Sequence, residues 1–137
     1  ASLFEVSEAV FNHRSLSAMH LWGAVLAGAQ LEEGLLWAEL PLALANAHDS
    51  DPLASKGLIN LLSECAEARV TVLLREMADG AGVDVGFRSK PGYDVSSVAL
   101  ALGGGGHPQA AGCQVAGTLA QVRAQVLGAL RALLAGT

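Results

Sequence analysis

Few of the 137 residues are charged. Charged side chains make up 15% of the chain, against a hydrophobic content of 52%, where about a quarter charged is usual for a soluble domain. Such a surface is either meant to be covered by a partner or simply reflects an Ala- and Leu-rich sequence. The balance is also the wrong sign for a polyanion. A formal net charge of −5 repels phosphates, so long nucleic acid is not held by general attraction. A small phosphorylated ligand gripped by a few placed groups is still allowed. Only two cysteines occur, Cys65 and Cys113, in no metal-ligand spacing, which predicts a reduced, cytoplasmic setting without disulfides. The N-terminus lacks a basic region, and Glu5 and Glu8 come early, so no signal peptide is expected. No apolar run is long enough to cross a bilayer. A start at Ala1 rather than Met points to a processed or excised chain.

The length suits one domain with one core. Phe4 to Phe11 reads as a short helix, broken at Asn12-His13-Arg14-Ser15. A second helix follows from Leu16 to Gly28, with Leu16, Met19, Val25 and Leu26 near one face and Trp22 between them. Leu35 to Leu42 reads as a strand and Ala45 to Asp51 as a polar loop. Asp51-Pro52 starts a helix that turns Leu58, Ile59, Leu61, Leu62 and Cys65 inward. Arg69 to Met77 is an almost continuously apolar, central strand. The Asp79-Gly80 turn joins it to Val83–Ser89 in a hairpin. Asp94 caps a helix over Val95–Leu102, and Ala111–Val115 forms a short strand. Thr118 and Gln121 have capping-box spacing. They open a last helix with Leu119, Val122, Val126, Leu130 and Leu133 on one side and Arg123 and Arg131 solvated. The expected fold class is α/β: a mixed β-sheet of about four or five strands flanked by helices and preceded by connector helices. Residues 1–30 are the connectors, and residues 31–137 the domain proper.

Two segments carry chemistry. The first is Gly103-Gly104-Gly105-Gly106-His107-Pro108-Gln109-Ala110-Ala111-Gly112. Ordering consecutive glycines is entropically expensive. Their benefit is positive φ, close approach by a ligand, and N–H groups able to converge on one anion. His107 adds a side-chain donor beside them, positive when protonated. Ala110, Ala111 and Gly112 keep the chain tight. The second is Val83-Asp84-Val85-Gly86-Phe87-Arg88-Ser89, whose alternation gives one core face and one open face. Gly86 leaves room beside Arg88, which can fork onto a phosphate or stack on a base, and Ser89 offers a further hydrogen bond. The helix between the segments returns the chain so that Arg88 and His107 share one pocket. The weaker features read as structural: His13, His20, an Arg75–Glu76 surface pair, and His48-Asp49-Ser50-Asp51 as a solvated loop rather than a metal site. No nucleophile-elbow, Walker or zinc signature is present. No catalytic residue and no metal ligand is therefore assigned within this chain.

Arg88-Ser89-Lys90, Asp94-Val95-Ser96 and the Gly-Gly-Gly-Gly-His-x-x-Ala-Ala-Gly run together resemble the DHH-associated C-terminal domain of DHH phosphoesterases. The similarity is to the nano-RNase and pAp-phosphatase branch. Gly57-Leu58-Ile59-Asn60 and Leu73-Leu74-Arg75-Glu76 also look like that branch. The resemblance implies a two-domain hydrolase. Its N-terminal DHH domain, missing from this chain, would bind manganese (Mn2+) and activate water. The present domain would bind a nucleotide, dinucleotide or short oligonucleotide. Arg88, Ser89, Gly103, Gly104, Gly105, Gly106 and His107 would then hold phosphate, sugar or base, and the chain alone would be inactive. The apolar N-terminal helices would contact either that missing domain or a second copy in a homodimer; no membrane partner is expected. An alanyl-tRNA-synthetase-like C-terminal domain and a stand-alone nucleotide-sensing module are the alternatives, and an interaction domain without ligand is the plainest one.

Overall fold

The alternation in Val83–Ser89 decides the architecture, because it commits one side of a strand to a core and leaves the other for a different purpose. The computed structural model describes residues 14–48, 55 and 57–136. The helix expected over Phe4–Phe11, the Asn12-His13 break and the Asp51-Pro52 helix start lie outside them. In chain order the elements are α1 (Leu16–Ala27), β1 (Gln30–Glu32), β2 (Leu35–Leu40), α2 (Leu42–Ala47), α3 (Leu58–Leu62), β3 (Val70–Glu76), β4 (Val83–Ser89), α4 (Ser96–Ala101), β5 (Gly105–His107), β6 (Ala110–Val115) and α5 (Leu119–Ala135).

The strands form one sheet in the order β1-β2-β3-β4-β6-β5. β2 and β3 are parallel, and every other pair is antiparallel. The mixed α/β class expected from the sequence is borne out, with six strands rather than four or five. The two unforeseen strands, β1 and β5, are the sheet's edges. Each is three residues long, too short for an alternating pattern to register.

One face of the sheet carries Val70, Val72 and Leu74 of β3, Val83, Val85 and Phe87 of β4, and Ala111 and Cys113 of β6. α4 and α5 cover it with Val98, Ala99, Val122, Val126, Leu127 and Leu130. The Thr118 hydroxyl accepts from Gln121 N–H, and the Gln121 side chain accepts from Thr118 N–H, completing the expected capping box of α5. Thr118→Ala is expected to cost about 1 kcal/mol, read as a lower urea midpoint. Arg123 and Arg131 are not merely solvated. Arg123 bonds both carboxylate oxygens of Glu39 on β2, and Arg131 forks onto Glu32 on β1, so the helix is pinned across the sheet. The Arg131 guanidinium holds the Glu32 carboxyl below its ordinary range.

The opposite face is covered over only part of its width, by α1 and α3. Leu21, Val25, Leu58 and Leu62 pack there on Leu36, Ala38, Leu40 and Leu73. The stripe expected on α1 is corrected except at Val25, which is buried as expected. Ala18, Leu21 and Val25 face inward, whereas Leu16 and Met19 are 66% and 58% exposed. The loop expected from Ala45 is also corrected, since α2 runs to Ala47 from an N-cap at Pro41. No described helix is long and apolar enough to cross a membrane.

Candidate functional site

In an antiparallel sheet, residues directly opposite each other present their side chains on the same side. Arg88 of β4 lies opposite Ala110 of β6, and Ala110 lies opposite His107 of β5. Arg88 and His107 therefore stand in one row of one face, two strand spacings or about 10 Å apart at Cα, with only the Ala110 methyl between them. This is the face that α1 and α3 leave partly open. His107 is exposed and Arg88 half-buried.

Arg88 is held by its neighbours. Its Nε donates to Asn60 Oδ1 at 3.0 Å, and its Nη1 donates to the Phe87 carbonyl at 2.8 Å. Asn60 sits on α3, 28 residues away; the Gly57-Leu58-Ile59-Asn60 segment marked the stretch in the sequence, but nothing there foretold its partner. The room expected beside Gly86 is taken by the protein itself: Ile59 Cδ1 lies 3.0 Å from where a Cβ would stand.

Ser89 is committed within the chain. Its hydroxyl is shared between the carbonyls of Tyr93 at 2.6 Å and Pro108 at 3.2 Å. Its N–H donates to the Gln109 carbonyl, and Val95 N–H donates to the Pro108 carbonyl. These bonds clamp the β5–β6 hairpin tip, and so fix the backbone that carries His107. Ser89 is a positioning residue, not a free donor. Lys90 is engaged similarly, its ammonium donating to the carbonyls of Cys65, Ala66 and Ala68.

The four glycines divide by physical cause. Gly103 closes α4 at φ +91 and donates its N–H to the Leu100 carbonyl. Gly104 donates to the Ala99 carbonyl at 2.8 Å, and a Cβ there would meet the Gly112 oxygen and Cys113. Gly106 has φ +140 and presses on Ala111. Gly105 has neither constraint, since nothing lies within 4 Å of where its Cβ would stand. The expectation of one cradle built from successive amides is thus corrected for Gly103 and Gly104, whose N–H groups are spent on the end of α4.

The remaining candidates are placed elsewhere. Arg75 pairs with Asp84 at 3.2 Å rather than with Glu76, and Glu76 accepts from Leu42 N–H. His20 is exposed. The His48 carbonyl accepts from Ser17, and Asp49 to Asp51 lie outside the described residues. Burial, and secondarily the Asp84 charge, push the Cys113 thiol up, so it stays protonated near neutral pH and is a poor nucleophile. Among the described residues no group of three or more His, Cys, Asp or Glu can hold a metal ion.

The chain is 37% identical over 121 residues to the bifunctional oligoribonuclease and PAP phosphatase NrnA of Thermus thermophilus, covering 86% of this chain but 35% of that protein. An exopolyphosphatase-related protein of Bacteroides fragilis shares the fold with a TM-score of 0.83 at 23% identity, covering 98% of this chain and 41% of that one. A pGpG-specific phosphodiesterase of Vibrio cholerae shares it with a TM-score of 0.62 at 14% identity, covering 88% and 39%. The chain thus spans about a third of its curated relative. The DHHA1 domain model matches residues 26–136, which bears out the resemblance read from the glycine–histidine motif: the chain belongs to the DHHA1 domain family.

Proposed function

We propose that this chain is the substrate-binding part of a manganese-dependent DHH phosphoesterase, and that the face carrying Arg88 and His107 grips a phosphate of a nucleotide, dinucleotide or short oligonucleotide. The observation that carries the proposal is the single row Arg88–Ala110–His107 on an open sheet face. A guanidinium and an imidazole flanking a bare methyl form a two-sided clamp for an anion, and the unobstructed Gly105 lets the ligand approach the backbone. The enzyme would be a 3′–5′ oligoribonuclease, a pAp phosphatase or a dinucleotide phosphodiesterase acting in the cytoplasm. The named activity of the Thermus relative favours this over an alanyl-tRNA-synthetase-like domain.

The described residues do not fit a metal site, so no hydrolytic step is derived for them. Metal-assisted phosphoester hydrolysis needs clustered hard ligands to generate hydroxide and neutralise charge. In this reading residues 1–30 lead to an N-terminal DHH domain that supplies those ligands. This chain supplies position, and a small displacement of substrate costs much of the rate.

Titration with adenosine 3′,5′-bisphosphate (pAp), followed by NMR, tests the assignment. Shifts are expected at residues 88, 105–107 and 110. Arg88→Ala should weaken binding about tenfold, the worth of one charge-assisted hydrogen bond. An affinity that is unchanged in Arg88→Ala would remove the basis of the reading. Turnover of pAp by this chain with added manganese would contradict the division of labour.

A further inference from the structure

The face that carries Arg88 and His107 continues in register. Two residues further along the strands, Gly86, Gly112 and Gly105 lie opposite one another across β4, β6 and β5. Two residues beyond that, Asp84 lies opposite Gln114 on β6 and opposite Arg75 on β3. The middle row is a floor without side chains. Over Gly86 it is walled by Ile59, and over Gly105 it is open. At Gly112 a Cβ would meet only the Val85 carbonyl oxygen, at 3.2 Å. The result is a bay with a cationic end at Arg88 and His107, an apolar wall at Ile59, and an acid–amide end at Asp84 and Gln114. Four residue steps along β4 separate Arg88 from Asp84, about 13 Å. One nucleotide is long enough to bridge that gap from its phosphate to the far edge of its base.

We propose that Asp84 and Gln114 read the base of the bound nucleotide and select guanine. The inference rests on the phosphate assignment made for Arg88 and His107. Arg75 Nη2 donates to Asp84 Oδ2 at 3.2 Å and fixes the carboxylate. Among the described residues Oδ1 has no partner, and the Asp84 side chain is 40% exposed. A carboxylate only accepts, whereas a glutamine amide both donates and accepts. Guanine presents two adjacent donors, N1–H and the exocyclic N2–H2, beside the acceptor O6. Asp84 takes the donors and the Gln114 amide donates to O6. Adenine offers the bare N1 lone pair in place of N1–H, which faces the carboxylate with like polarity, and a donor in place of O6. A site built around hydrogen bonds rejects a ligand that leaves them unmade. The glycine floor allows a flat ring to lie on the backbone, and Ile59 supplies an apolar edge against it.

The test titrates the chain with guanosine 5′-monophosphate and adenosine 5′-monophosphate. The guanine nucleotide is expected to bind about tenfold tighter, the discrimination of one well-placed pair of hydrogen bonds. Asp84→Asn should reduce that ratio to about twofold or less, with the adenine affinity unchanged or improved. Gln114→Ala, at an exposed position that the fold does not need, should reduce it by a similar factor and decides the matter if Asp84→Asn fails to fold. Arg88→Ala should weaken both nucleotides equally. Equal wild-type affinity for the two, or a ratio preserved in both variants, overturns the base reading alone while the phosphate site stands. Failure of both nucleotides to bind, or indifference of both to Arg88→Ala, overturns the phosphate site and the base reading with it.

Discussion

Replacing Gly104 with alanine is expected to cost the fold about 3 kcal/mol or more. The added Cβ would fall on the Gly112 carbonyl oxygen and 2.6 Å from the Cys113 Cβ. These are atoms of a central sheet strand that cannot rotate aside. The Gly104 N–H is meanwhile tied to the Ala99 carbonyl, so the residue cannot retreat without unravelling the end of α4. Gly105→Ala is the matched contrast. Its Cβ enters open space, and the loss of chain freedom in the unfolded state can even stabilise by about 0.5 kcal/mol. Its effect should appear in binding instead: a methyl on the floor lifts the ligand, and pAp affinity should fall about tenfold, because close backbone approach is what glycine permits. Urea unfolding of the two variants, with pAp titration of Gly105→Ala, separates the roles. If Gly104→Ala matched the parent in stability, the contact between α4 and β6 would be wrong. If Gly105→Ala bound pAp normally, the floor would not touch the ligand.

The two variants also show which parts of the molecule were legible in the sequence. β4 was readable to the residue because Val83, Val85 and Phe87 alternate with polar positions and share a face only as a strand. α5 was readable because its capping box and its 3.6-residue stripe agree. On α1 a stripe can be drawn through Leu16, Met19, Val25 and Leu26 or through Ala18, Leu21 and Val25. The sequence favours the larger side chains, while the sheet takes the set whose small Ala18 permits close approach. At the site, alternation placed Arg88 on the open face, and the return through α4 brought His107 to the same row. What could not be read was which donors are already spent. A serine or a glycine amide looks available until the carbonyls of Tyr93, Leu100 or Ala99 are found beside it. Asn60 was hidden for the same reason, since its bond to Arg88 depends on how α3 crosses the sheet.

Lys90 gives the second large effect. Replacing it with methionine, which keeps the length of the stem, is expected to destabilise the chain by about 2–3 kcal/mol. The ammonium donates to Cys65 at 2.8 Å, Ala66 at 3.3 Å and Ala68 at 2.5 Å, so its three protons meet three carbonyls at the turn between α3 and β3. Methionine leaves the Ala66 and Ala68 carbonyls without their donor, while the Cys65 carbonyl keeps only the Ala68 N–H, and the cost of stranded polar groups exceeds the modest net value of the bonds themselves. Lys90→Arg should recover part of the loss only, because a planar fork cannot radiate three donors from one point. The damage should also travel to the site. The turn that Lys90 secures ends α3, and α3 carries both Asn60, which holds Arg88, and Ile59, which walls the bay. In folded Lys90→Met the Arg88 Nε–H should therefore exchange faster with water than in the parent, and pAp binding should weaken although no ligand contact has been removed. Urea midpoints give the first quantity and NMR the second. Unchanged stability with an equally protected Arg88 Nε–H would mean that the three carbonyls are served by water, and that α3 is held in place by Leu58 and Leu62 alone.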